Sequence, residues 1–231
     1  MRDAALDLLA GGACVACGRP GRRLCPWCTA DLRITPRPAR PTPCPPGLLE
    51  VRSGGDYDGV LRAAILAHKE RSALGLVVPL GRALADVVGT KDPGPLALVP
   101  VPSHPTVVRE RGQDPVLRLT RRAARVLRAR GVAAAVRQVL RVVGRPEDQA
   151  GLGAAARRAN LSGRFRARRR GAAPGPHRLL LVDDVMTSGA TLREAQRALE
   201  DAGWTPSVAV TLAATRRWSS RPHLPVRPPE G

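Results

Sequence analysis

The chain has 231 residues, 43% hydrophobic but only 2% aromatic, which allows one full domain with a small appendage and a core of Ala, Val and Leu. Its net charge of +19 is almost all arginine, since Lys69 and Lys91 are the only lysines; the excess points to polyanion or phosphate-rich partners, although a GC-rich coding bias also produces it. No stretch approaches the ~18 uninterrupted apolar residues of a membrane span, and aromatic poverty speaks against a stacking-type single-strand binder.

In chain order, residues 1–12 read as a short helix. Asp3 and Asp7 interrupt its apolar residues and leave no room for a secretory core, so a cytoplasmic protein is expected. Residues 13–30 hold four of the five cysteines, and 35–47 ("TPRPARPTPCPPG") are Pro-rich and read as a stiff linker. Residues 56–70 and 75–88 are predicted helical, with Pro79 marking an early turn or kink. "LALVPVP" (96–102) reads as a buried strand stopped by prolines. Residues 115–130 start with Pro115 and repeat Val116, Leu119, Ala123 and Leu127 at helical spacing, with Gly131 as the stop. Residues 136–143 suggest one strand, 144–177 a basic Gly/Pro-rich loop, 178–182 a strand, 191–202 a helix and 207–215 a last strand. The tail from Trp218 is expected to be disordered. Strands alternating with helices imply a parallel α/β sheet.

"CVACGRPGRRLCPWC" carries Cys14, Cys17, Cys25 and Cys28 as two C-x2-C knuckles. Four thiolates close a tetrahedral structural zinc site, and seven intervening residues with Gly18, Pro20 and Gly21 suffice to turn the chain back. Disulfides do not suit a cytoplasmic chain. An iron–sulfur cluster also takes four cysteines, but the compact pairing favours zinc. Cys44 stands outside the pattern.

"LLLVDDVMTSGATL" (179–192) runs an apolar strand into two carboxylates and then a loop of small residues. The loop offers backbone N–H groups, the hydroxyls of Thr187, Ser188 and Thr191, and the conformational freedom of Gly189, ahead of a helix N-terminus. That combination cradles a phosphate. Asp183 and Asp184 would repel the same phosphate, so they serve another part of the ligand, and two sugar hydroxyls fit. At the carboxyl end of a strand the chain is expected to be turning, so that both acids reach a ligand above the sheet.

This stretch resembles the phosphoribosyl-pyrophosphate (PRPP) signature of the type I phosphoribosyltransferases. The resemblance implies that Asp183 and Asp184 bind ribose hydroxyls and that Thr187, Ser188, Gly189, Ala190 and Thr191 bind the 5′-phosphate. Over nearly all of its length the chain resembles the ComF family. The matching features are "LDLL" (6–9), the four cysteines, Tyr57 and Lys69, Pro100-Val101-Pro102, Arg109, Arg111 and Gly112, and Gln149, Leu152, Arg157, Asn160 and Phe165. Where the family has "FNQ", this chain has Gln113-Asp114-Pro115. The resemblance implies a helix and four-cysteine zinc module over 1–34, a linker over 35–50, a type I phosphoribosyltransferase domain with a parallel sheet over 51–216, and a tail over 217–231. It implies transfer of a phosphoribosyl group from PRPP with Mg²⁺. Lys69, Val101, Pro102, Ser103, Arg109 and Arg111 are the candidate pyrophosphate contacts, and the acceptor is open. His104, beside that turn, either orients a ligand or faces water. The other reading, through the same family, is an accessory protein of DNA uptake that binds single-stranded DNA or competence proteins and keeps the cradle as a sensor or relic.

Overall fold

The structure, a computed structural model, describes residues 12–70, 73–89, 94–143, 163–169 and 178–215. The N-terminal helix expected over 1–12 lies outside them except for its last residue, as do Gln149, Leu152, Arg157, Asn160 and the C-terminal tail.

The central strand is β7 (Arg178–Met186). It pairs in parallel with β3 (Leu96–Pro100) on one side and β8 (Pro206–Ala214) on the other. Because both faces of such a strand are covered, its first half reads as an unbroken apolar run rather than an alternating one. The sheet continues outward as β1-β2-β8-β7-β3-β4, with β1 (Arg37–Ala39), β2 (Val51–Ser53) and β4 (Ala134–Val136). All neighbours are parallel except β1 and β2.

One face packs on α2 (Gly59–Glu70), α3 (Val77–Val88) and α5 (Pro115–Ala129). Helix α3 follows a short 3-10 turn at Leu74–Leu76, and Pro79 falls in its first turn, where a missing N–H costs nothing. Close approach of α3 and α5 depends on Gly81, where a Cβ would overlap the Arg122 side chain. Buried Cys14, Leu24, Cys25 and Cys28 join the same cluster, so the cysteine segment, with its short helix α1 (Pro26–Asp31), shares this core.

The other face packs on α6 (Ala190–Asp201) and a small hairpin of β5 (Leu140–Val142) with β6 (Phe165–Ala167). The single strand expected over 136–143 is therefore two strands in two sheets. Glu194 of α6 pins the hairpin: its buried carboxylate accepts the Phe165 N–H at 3.3 Å and two Arg197 bonds at 2.7 Å. Burial alone would raise its pKa, but Arg197 and the Phe165 N–H outweigh it and hold the carboxyl low.

Candidate functional site

In a parallel sheet the carboxyl ends of neighbouring strands share one edge, and here that edge gathers most of the expected residues. Strand β7 does not stop at Val182. It stays paired with β8 as far as Met186 and Ala214, so Asp183 and Asp184 lie inside a strand and not on a turn. Successive strand residues point to opposite faces, which gives the two acids different surroundings.

Asp184 is buried on the side of α2. Lys69, next to last in that helix, brings its Nζ within 3.1 Å of Oδ2 and 3.4 Å of Oδ1. Burial alone would lower the Lys69 pKa; the charges of Asp184 and Asp183 outweigh it and hold the ammonium above its ordinary value, while Arg111 opposes them. Asp183 takes the other side, where Oδ1 accepts the N–H of Asp184 at 2.8 Å. Burial, and then the charge of Asp184, push its carboxyl well above the ordinary range. In the same register across β8 and β2 stand Thr211 and Ser53. The Thr211 hydroxyl is fully buried and has no hydrogen-bond partner among the described residues.

The turn after β3 lies beside this pair. Val101 is buried and its N–H donates to the carbonyl of Val182 at 2.8 Å, which carries the β3–β7 pairing up to the aspartates. Asp114 holds the turn: Oδ2 accepts the Ser103 N–H at 3.0 Å while Oδ1 caps α5 through the Leu117 N–H at 3.1 Å. Gln113 accepts a hydrogen bond from Arg118. Asp114 and Pro115 thus fix the turn and the start of α5. Asp followed by Pro at a helix start is an N-cap signal that sequence reading could have used. Between them runs α4 (Pro105–Arg111), a helix the sequence analysis did not anticipate. His104 caps it by accepting the Thr106 N–H through Nδ1 at 3.3 Å. Arg109 and Arg111 occupy its last turn, Arg109 exposed and Arg111 half-buried.

The loop from Thr187 leads into α6. Thr187 and Ser188 are exposed, and Gly189 has φ +74°, in the left-handed region that favours glycine. A Cβ there would come within 2.8 Å of a Leu48 methyl and 3.0 Å of the Pro41 ring. The Pro-rich segment therefore lies directly against the loop. It is tied along α6 by Arg193 Nε to the Pro46 carbonyl, Gln196 Nε2 to the Gly47 carbonyl and the Leu49 N–H to Gln196 Oε1, each at 3.0 Å. None of these contacts has a sequence signal.

At the other end of the chain, one sulfur from each of Cys14, Cys17, Cys25 and Cys28 lies within 4.8 Å of the other three. Cys17 and Cys25 are 3.7 Å apart. Four sulfurs at about 2.3 Å from a tetrahedral ion stand about 3.8 Å from one another, so the cluster fits a metal ion such as zinc. Burial would raise the Cys14 thiol, yet the N–H groups of Cys25, Cys17 and Ala16 bring it down to about 6. Burial and hydrogen bonding with Cys25, Cys17 and Cys14 push Cys28 up.

Among the described residues no helix is long and apolar enough to cross a membrane. No family model and no curated protein matches the chain. Among solved structures it is similar to a hypoxanthine phosphoribosyl transferase of Trypanosoma cruzi, with 17% identity and a TM-score of 0.35, covering 64% of this chain and 67% of that one. It is similar also to an HPRT with glutamic acid at an invariant aspartic acid position, with 18% identity and a TM-score of 0.35, covering 64% and 70%. These values describe a distant likeness, and the functional reading rests on the residues of this chain.

Proposed function

We propose that the chain binds PRPP with Mg²⁺ at this sheet edge and acts as a cytoplasmic phosphoribosyltransferase of the ComF type. The observation that supports it is the convergence on one edge of the central strand: two carboxylates, the lysine that pairs with one of them, and a small-residue loop opening a helix. The loop at 187–191 takes the 5′-phosphate on backbone N–H groups and hydroxyls, aided by the positive end of α6. Asp183 and Asp184 accept hydrogen bonds from the ribose hydroxyls. The turn at Val101, Pro102 and Ser103 receives the pyrophosphate, with Lys69, Arg109 and Arg111 as cationic partners.

Breaking the bond from C1 to pyrophosphate leaves positive charge on the sugar and negative charge on the leaving group. Basic side chains placed before the reaction stabilise the latter. Mg²⁺, held mainly by the oxygens of PRPP, supplies further neutralisation of the pyrophosphate. The four cysteines hold zinc as a closed structural centre with no open position for chemistry.

Calorimetric titration with Mg·PRPP tests this. Removing one charge-assisted hydrogen bond costs ~1.5–3 kcal/mol, roughly a ten- to hundred-fold loss of affinity. Asp183→Asn and Asp184→Asn should each show it with the fold intact. Absence of wild-type binding, or unchanged binding by the double Asn variant, rejects the assignment.

A further inference from the structure

A cavity of about 310 Å³ opens between β1, the residues just after it and the carboxyl ends of β7 and β8. Thr187 of the phosphate loop forms part of its wall, and neither aspartate of the pair does. In the sheet order β1-β2-β8-β7-β3-β4 the cavity lies on the β8 side of β7, whereas the turn at 101–103 follows β3 on the other side. Its volume is at the lower end of the range for small-molecule sites, roughly 300–1,000 Å³.

The charge of the wall is uneven. Its ionisable members are Arg37, Arg40 and Asp56. Asp56 is already engaged: Oδ1 accepts from Arg37 Nη2 at 2.5 Å, and the residue has a further interaction besides. It neutralises one arginine and offers a ligand no free edge. Arg40 is exposed and makes no hydrogen bond or ion pair among the described residues. The wall is therefore net positive, and the uncompensated charge is that of Arg40. A guanidinium presents paired N–H donors that match the two oxygens of a carboxylate. Thr42 and Thr187 add hydroxyls to the wall, and Ala39 and Met186 add apolar surface.

We propose that this cavity is the acceptor subsite and selects a one-ring acceptor that carries a carboxylate. Arg40 holds the carboxylate, and the ring lies against Ala39 and Met186. The inference rests on the phosphoribosyltransferase reading. In a displacement at C1 the acceptor's lone pair forms the new bond on the face opposite pyrophosphate. Pyrophosphate leaves with the electron pair of the broken C1–O bond and takes up any proton the acceptor sheds. An acceptor site therefore belongs across β7 from the pyrophosphate turn, where this cavity lies.

Calorimetry with two pairs of probes provides the test: orotate against uracil, and nicotinate against nicotinamide. Each is titrated into the protein with ribose 5-phosphate, which can fill the loop but has no leaving group. Mg·PRPP is titrated separately. Wild type should favour the acid of each pair by about ten-fold at low salt. That is the low end for a charge-assisted contact, because Arg40 is exposed to water. The preference should shrink as salt rises. Arg40→Gln should bring each pair within about two-fold, and Arg40→Lys should keep part of the preference. Equal affinity within the wild-type pairs, or a preference that survives Arg40→Gln, overturns the subsite. So does an Arg40→Gln protein that loses PRPP affinity and keeps the preference for acids, since the charge then serves PRPP. Preference for acids in a wild type that ignores PRPP instead removes the transferase reading, and the cavity stands as a carboxylate site without an acceptor role.

Discussion

Replacing Gly189 by Ala probes the loop and the Pro-rich segment together. An L residue at φ +74° costs about 1–2 kcal/mol in the left-handed region. The new methyl also meets Leu48 at 2.8 Å and Pro41 at 3.0 Å. Leu48 is half-buried and the Pro41 ring is buried, so neither gives way freely and overpacking adds about 1 kcal/mol. The sum is roughly 2–3 kcal/mol. At about 2–4 °C per kcal/mol for a chain of this size, the thermal midpoint should fall by about 4–12 °C. Mg·PRPP affinity should fall as well, since the loop N–H groups are re-aimed. A melting curve followed by circular dichroism reads the first effect. A cycle with Leu48→Ala isolates the clash: the two changes should couple by more than about 0.5 kcal/mol, because the shortened side chain frees space for the methyl. A midpoint within about 1 °C of wild type, or strict additivity with Leu48→Ala, refutes the packing of this segment against the loop.

Three further outcomes are expected. Metal analysis of freshly reduced protein should give about one zinc per chain; Cys25→Ser should lower that content and, because Cys25 is buried in the main cluster, lower the thermal midpoint too. Iron, or no metal, would reject the assignment. The raised pKa of Asp183 means the folded chain holds that proton more tightly than the unfolded one, so the residue destabilises the fold as pH rises from about 4 through the folded pKa. Asp183→Asn keeps an oxygen for the Asp184 N–H and should melt higher than wild type at pH 7, the difference vanishing near pH 4; equal midpoints at both pH values contradict the burial of this carboxyl. With its +19 charge, the chain should bind single-stranded DNA weakly, log affinity falling by about 0.7 per contacted phosphate for each decade of salt, and filter binding that shows no association at low salt returns the arginines to compositional bias.

The sequence alone determined the parts whose signal is local. Paired knuckles fix which four sulfurs can meet, because two residues between cysteines already aim both thiols at one point. The run Leu179–Val182, the acid pair and Gly189 likewise announce a central strand followed by a tight loop of small residues, since strand burial and left-handed backbone each leave a mark within a few residues. Helix α5 was equally legible from its period and Pro115. Tertiary structure decided what depends on partners distant in sequence. Strand β7 extends past the acids because β8 is there to pair with it, and this alone sends Asp184 toward Lys69 and Asp183 to the opposite face. Strands β1 and β2, three residues each, are too short to carry a readable alternation; β2 exists through hydrogen bonds to β8, more than 150 residues later, and β1 through its pairing with β2. The Pro-rich segment reads as a spacer by composition, but its carbonyls are claimed by Arg193 and Gln196. Arg37 and Asp56 are two ordinary charges in the sequence and become an ion pair only when the fold brings them to 2.5 Å.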